Sequence, residues 1–176
     1  FGFLVGDFVR DKDSITTTVL ASEIASVAKA KGSSFFKELL KIYEKTGMYR
    51  ESLVNIVREG LSGAQEIKAM MDNLRENPLK TIDGSPVVKI NDYKTSISKD
   101  MTTGAQTSID IPKSDVLIYY TADGTKVAAR PSGTEPKIKF YFSVNTPFAG
   151  EAEYDEKVKM LDDKLARIIR EMGLES

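Results

Sequence analysis

Arg130-Pro131-Ser132-Gly133-Thr134-Glu135-Pro136-Lys137 is the stretch on which the reading of this chain turns. It lies between two runs with strand character, residues 126–129 before it and residues 138–144 after it. In the second run Ile138, Phe140, Phe142 and Val144 fall on one side and Lys139, Tyr141 and Ser143 on the other. That is the period-two pattern of a half-buried strand. The loop between the runs concentrates groups that bind oxyanions. Arg130 offers a planar fork of N–H donors that can grip two oxygens at once. Ser132 and Thr134 add hydroxyls. Gly133 has no side chain, so the backbone N–H groups of Gly133 and Thr134 can come close to an anion. Pro131 and Pro136 fix φ on either side and lower the entropy lost in holding one loop shape. Lys137 and Lys139 add positive field. A Ser-Gly-Thr tripeptide alone is ordinary turn chemistry. The eight residues together suit a group with several negative oxygens.

Working outward, residues 116–121 form an apolar, aromatic strand, and Asp123-Gly124 marks a hairpin turn that returns the chain through residues 126–129. Arg130 is thereby delivered at a strand end. Downstream, Pro147 and Gly150 break the chain, and Tyr154, Val158, Leu161, Leu165, Ile168 and Met172 make the stripe of a long helix. A single helix of that kind usually packs on a sheet. Upstream, Met48–Val57 has a strand-like apolar run. Ser62-Gly63-Ala64-Gln65 matches a capping box. Ile67, Met70, Met71 and Leu74 then recur at helical spacing until Pro78. Asp83-Gly84 is a turn signal, and Val87, Val88 and Ile90 predict a short strand. Residues 94–113 are polar and read as a long exposed loop with a short strand at 108–111, either mobile or functional. The expectation is a largely antiparallel sheet with two helices over one face and its loop end free for an anion.

Residues 1–47 read differently. Asp13 or Ser14 caps a helix with Ile15, Val19, Leu20, Ile24, Val27 and Ala28 on one face, and Gly32 stops it. Ser33 or Ser34 starts a second helix bearing Phe36, Leu39, Leu40 and Tyr43, with Gly47 as its stop. Two helices alone cannot bury both apolar faces, which points to further structure around them. The chain begins with Phe1, not Met, and reads as an internal cut from a longer protein. Asp7, Asp11 and Asp13 hint at a cation, but the Gly and Glu of a calcium loop are missing. Lys12, between two of them, reads on its own as an ion-paired surface lysine.

Composition narrows the chemistry. The 176 residues include 41% hydrophobic and 29% charged side chains with a net charge of −1. There is no basic excess to suggest nucleic acid or a membrane surface. With neither Cys nor His present, disulfides, thiolate metal sites, the Ser-His-Asp triad and most zinc sites are excluded. No apolar run approaches membrane-spanning length, and a cytoplasmic protein is expected.

The eight-residue loop resembles, without a gap, the phosphate-binding signature of the α-D-phosphohexomutases, the family of phosphoglucomutase and phosphomannomutase. Gly6-Asp7, with Arg10-Asp11-Lys12-Asp13 two residues on, is similar to the segment that follows the family's sugar-binding loop. The resemblance implies that residues 1–47 are the helical end of the third mutase domain. Residues 48–176 would be the fourth, a TATA-binding-protein-like α+β domain with a mostly antiparallel sheet under two helices. It implies interconversion of hexose 1- and 6-phosphates through a phosphoserine and a bisphosphate intermediate. Mg²⁺ would be held on a separate domain, with a glucose 1,6-bisphosphate-type activator. Arg130, Ser132, Gly133 and Thr134 would hold the phosphate that is not reacting, Lys139 would add charge, and Lys12 would lie near substrate. The family's serine and metal loops do not occur here, so no catalytic residue and no metal ligand is expected in this stretch. Its partners would be a phosphorylated sugar and the N-terminal mutase domains. The alternative is a free-standing phosphate- or anion-binding or interaction domain without mutase activity. Preference among glucose, mannose and pentose is open, because the family's sugar-reading Glu and Ser would precede Phe1. Oligomeric state is open as well.

Overall fold

The computed structural model describes residues 3–7, 11–58, 60 and 62–175. The chain divides into two compact units. One comprises the residues up to Gly47 together with Pro147–Glu153. The other comprises Met48–Thr146 and the segment from Tyr154 onward.

The first unit contains helices α1 (Ser14–Ala30) and α2 (Phe35–Thr46). Asp13 caps α1, its Oδ1 accepting from the amides of Ile15 at 2.9 Å and Thr16 at 3.2 Å. Ser34 caps α2 by accepting from the Lys37 amide at 3.1 Å. Gly47 ends α2 at a φ of 82°, a conformation open to glycine at little cost. The expected apolar face of α1 exists, but it is uncovered: Ile15 is 76% and Val19 63% exposed, and Ala28 is the helix's buried residue. Phe148 packs edge-on against Tyr43 with ring centroids 5.9 Å apart.

The second unit begins with β1 (Met48–Val57) and α3 (Gly63–Glu76). Strands β2 (Thr81–Ile82), β3 (Ser85–Asp92), β4 (Ile97–Asp100), β5 (Gln106–Ser108), β6 (Leu117–Thr121), β7 (Lys126–Pro131) and β8 (Lys137–Thr146) follow, and α4 (Tyr154–Glu171) closes the unit. The sheet runs β1-β8-β7-β6-β3-β4-β5, with β2 paired to β3. Every pairing among the described residues is antiparallel. Helix α4 lies against β1 and β8, and α3 against β7 and β8. The predicted alternation of β8 is what they cover. Ile138, Phe140, Phe142 and Val144 are buried together with Leu161, Leu165 and Ile168 of α4 and Ile67 and Met71 of α3. Each such side chain contributes about 1.5–3 kcal/mol by leaving water. Arg50 of β1 clasps Asp162 of α4 through two parallel bonds of 2.9 and 3.0 Å. The opposite face of β7 and β8 carries Arg130, Lys139 and Tyr141, which alternate with the buried positions.

Two expectations are corrected. Residues 94–113 do not form a long loop with a strand at 108–111. They fold as the β4–β5 hairpin, pairing Ile97 with Ser108 and Lys99 with Gln106. Its turn is held by Asp100, whose Oδ1 accepts from the amides of Thr102 and Thr103 at 2.8 Å each, and by Gly104 at a φ of 75°. The second correction concerns Ser62. It precedes α3 but makes no side-chain cap bond. Its hydroxyl lies 3.1 Å from the Glu66 carboxylate instead.

Candidate functional site

Strand register builds the site. In the β7–β8 pairing Arg130 stands directly opposite Lys139, and Pro131 opposite Ile138. Like charges opposed across an antiparallel pair destabilise a sheet. Among the described residues neither side chain has a carboxylate partner within ion-pair distance. Two cations without an ion-pair partner are therefore held side by side at the strand end where the loop begins, and the Lys139 charge reaches the Glu135 carboxylate only at longer range.

Backbone bonds fix the loop. The Ser132 amide donates to the Lys137 carbonyl at 2.8 Å, and the Lys137 amide to the Glu135 carbonyl at 2.7 Å. From outside, the Arg58 amide donates to the Pro136 carbonyl at 2.9 Å. Arg58 is itself crowded by Gly63, where a Cβ would meet the Arg58 carbonyl oxygen at 2.2 Å. The start of α3 and the far limb of the loop are thus braced through one residue. At the loop's crown the Thr134 amide lies 3.4 Å from the Ser132 hydroxyl, a long contact. No hydrogen bond among the described residues engages the Gly133 amide. A Cβ added at Gly133 would meet nothing within 4 Å.

These residues surround an open concavity of about 310 Å³. Arg130, Ser132, Gly133, Thr134 and Lys139 all line it, so five of the six expected site residues come together. Lys12 belongs to the first unit, where its ammonium pairs with Asp11 at 2.8 Å. Asp11 is occupied in that pair, and Asp13 caps α1. Arg10, in the same segment, lies outside the described residues. Two features of the site went unread. Tyr141 also lines the concavity, and its place on the Lys139 side of the alternation could have shown this. Lys137 contributes less positive field than its sequence suggests, because it is ion-paired with Glu135. The hydrogen bond and charge of Lys137 in turn hold the Glu135 carboxyl below its ordinary range. The net cationic character of the site rests on Arg130 and Lys139.

The second unit and its loop together define an α+β fold, an antiparallel sheet under two helices, with a cationic loop at a strand end. No protein-family model matches the chain. It is 38% identical over 145 residues to a phosphoglucomutase of Staphylococcus haemolyticus, covering 82% of this chain and 26% of that protein. It is 40% identical over 147 residues to a phosphoglucomutase of Staphylococcus aureus, covering 84% and 26%. By these matches the chain belongs to the α-D-phosphohexomutase family, and its structure is α+β with an antiparallel sheet. It spans about a quarter of the length of the curated relatives it matches. The solved open form of the exocytosis-sensitive phosphoprotein parafusin from Paramecium, described as a phosphoglucomutase, covers 93% of this chain and 28% of its own. It does so at 14% identity and a TM-score of 0.49. So loose a superposition adds no weight to the sequence match. No helix among the described residues is long and apolar enough to cross a membrane.

Proposed function

We propose that this chain is the spectator-phosphate clamp of a cytoplasmic phosphohexomutase that interconverts hexose 1- and 6-phosphates. The observation that carries the reading is the unpaired Arg130–Lys139 couple at the mouth of the loop concavity. A dianion placed there turns a mutual repulsion into two attractions. The Ser132 and Thr134 hydroxyls and the unengaged Gly133 amide supply further donors. None of these groups reads a sugar. That suits a reaction in which the substrate binds first by one phosphate and then, turned round as a bisphosphate, by the other. Catalysis in such a scheme rests on positioning and charge compensation. The family resemblance also assigns Lys12 a place near substrate.

Phosphoryl transfer itself needs a serine loop and Mg²⁺, which supplies charge at the transferring group. Among the described residues no three His, Cys, Asp or Glu side chains gather as metal ligands do, so no step is assigned to a metal on this chain. Those parts, and a glucose 1,6-bisphosphate-type activator, belong with the remaining three quarters of a mutase of the relatives' length. The uncovered apolar face of α1 supports such a larger body.

The test is a titration of the ¹⁵N-labelled chain with glucose 1-phosphate, glucose 6-phosphate and glucose. Both phosphates should move the Gly133 and Thr134 amides with affinities within about threefold of each other, since the clamp contacts only phosphate. Glucose should move neither. Flat responses to both phosphates up to about 20 mM, an affinity too weak to serve binding, would overturn the proposal, as would equal shifts with plain glucose.

A further inference from the structure

The sheet ends in two edges of different character. An edge strand offers a row of unpaired N–H and C=O groups to any strand that can reach it, and proteins normally blunt such edges by shortening, charging or bending them. The β5 edge is blunted: it is three residues long, and Gln106, Thr107 and Ser108 are all polar. The β1 edge is not. It is ten residues long and contains neither Pro nor Lys. Its register with β8, its one strand partner among the described residues, runs without a bulge. On the face away from the helices it exposes Tyr49, Leu53 and Val57. Its charges are Glu51 on that face and Arg50 on the other, where Asp162 engages it. An open concavity of about 560 Å³ lies beside its middle, lined by Leu53, Val54 and Asn55 with Ile169, Leu174 and Glu175. Three consecutive strand residues point to alternate faces, so what they border is the strand's edge.

We propose that β1 is a self-association edge, on which a second copy of this chain adds its own β1 antiparallel, centred on Leu53, so that two sheets become one. The strand's sequence selects that occupant and that register. Opposed residues of an antiparallel pair share a face, so a two-fold axis must set one residue against its own copy. Centring on Arg50 or Glu51 would oppose like charges, which destabilises a pair. Centring on Ser52 or Val54 would set Glu51 against Leu53 or Val57. Centring on Leu53 sets Leu53 against its copy, Tyr49 against Val57 and Glu51 against Asn55 on the exposed face, with Ser52 against Val54 and Arg50 against Ile56 on the other. No like charges meet, and the exposed apolar residues meet one another. The helices permit the joint as well. Helix α4 lies across β1 and β8. With strands about 4.8 Å apart, α4 and its copy would lie roughly 10 Å apart across the joint, the spacing of packed helices. Such a joint makes no use of the loop between β7 and β8.

Sedimentation equilibrium of the chain should show a dimer with a Kd of about 100 μM or tighter. Because the sequence has no Cys, disulfide trapping can read the register. Opposed residues of an antiparallel pair have Cα atoms about 4.5–5.5 Å apart, within the reach of a disulfide. Leu53→Cys should therefore cross-link to its own copy when treated with oxidised glutathione. Glu51→Cys and Asn55→Cys, each roughly 14 Å from its own copy, should not cross-link singly but should do so when the two variants are mixed. Leu53→Lys puts like charges in contact at an exposed position. It should weaken dimerisation at least about tenfold while the monomer keeps its secondary structure by circular dichroism. The proposal is overturned if the chain stays monomeric at about 500 μM. It is also overturned if Leu53→Cys fails to cross-link, if Glu51→Cys or Asn55→Cys alone cross-links as readily, or if Leu53→Lys dimerises like the parent.

Discussion

Gly133→Ala separates what the loop needs for folding from what it needs for a ligand. The added methyl would meet no atom within 4 Å. Gly133 also lies outside the left-handed region, for it is absent from the glycines of positive φ that include Gly124 and Gly104. The folded chain therefore has no steric or backbone objection to alanine. Stability should stay within about 0.5 kcal/mol, or rise slightly because the unfolded chain loses freedom. An oxyanion in the concavity changes the balance. The Gly133 amide makes no hydrogen bond among the described residues, and a Cβ beside it would narrow the open space through which an oxyanion would have to reach that amide. Losing one charge-assisted bond costs about 1.5–3 kcal/mol, or roughly 10- to 150-fold in Kd at 1.4 kcal/mol per decade. Thermal melts of parent and variant give the first quantity. Amide-shift titrations with glucose 6-phosphate give the second. A variant that melts with the parent and binds at least about tenfold more weakly bears the reasoning out. Unchanged affinity would refute the role given to the Gly133 amide. A melting point lowered by more than about 4 °C, beyond what such a stability change allows, would refute the steric argument.

Three other substitutions probe the frame. Gly63→Ala drives a methyl to 2.2 Å from the Arg58 carbonyl oxygen. It should cost about 1–3 kcal/mol by urea denaturation, and because Arg58 also holds Pro136 it should shift the Ser132–Thr134 amides of the free protein. Unmoved loop amides would show that the brace transmits nothing. Leu161→Ala removes a fully buried side chain of α4; a urea midpoint lowered by about 2–5 kcal/mol worth of stability at unchanged m is expected, and a loss under 1 kcal/mol would contradict the packing described. Asp123 should govern part of the acid limb. Partial burial raises its carboxyl, but bonds from Lys164, Thr121 and Thr125 outweigh this and hold it well below the ordinary range. A carboxyl depressed in the fold stabilises above its unfolded value, near pH 4, and that stability is lost as pH falls through the lower folded value. Asp123→Asn should therefore flatten the dependence of Tm on pH below about pH 5, whereas parallel curves for parent and variant would count against the Asp123 network.

What could be read from the letters followed physical leverage. The alternation of β8 was legible because Ile138, Phe140, Phe142 and Val144 are packed under α3 and α4, and burial forces a period of two. The Asp123-Gly124 hairpin was legible because its turn needs a positive φ, which Gly124 supplies at 83°. The β4–β5 hairpin was not. Gln106, Thr107 and Ser108 are all exposed, so no apolar pattern marks the strand, and it is held by backbone pairing and the Asp100 turn, neither of which leaves a hydrophobic trace. The capping box at Ser62 misled for a related reason, since the hydroxyl found a carboxylate four residues on instead of an amide three residues on. In the loop, the individual ligands could be named from sequence. The neutralisation of Lys137 by Glu135 and the opposition of Arg130 to Lys139 are properties of pairs, and register creates them.

That opposition also links the proposed function to stability. If the Arg130–Lys139 couple is kept for a dianion, the empty fold carries a repulsion that the filled fold does not. Ligand binding and folding are then coupled through the same two side chains. A phosphate at about 100 times its Kd should stabilise the unit by about 2.7 kcal/mol. Neutralising one cation, as in Lys139→Gln, should leave the empty protein as stable as the parent or slightly more so while lowering that gain. A structural ion pair behaves in the opposite way, because removing one partner weakens the fold itself. The sign of the stability change in the unliganded Lys139→Gln chain therefore distinguishes a binding cation from a structural one, before any ligand is added.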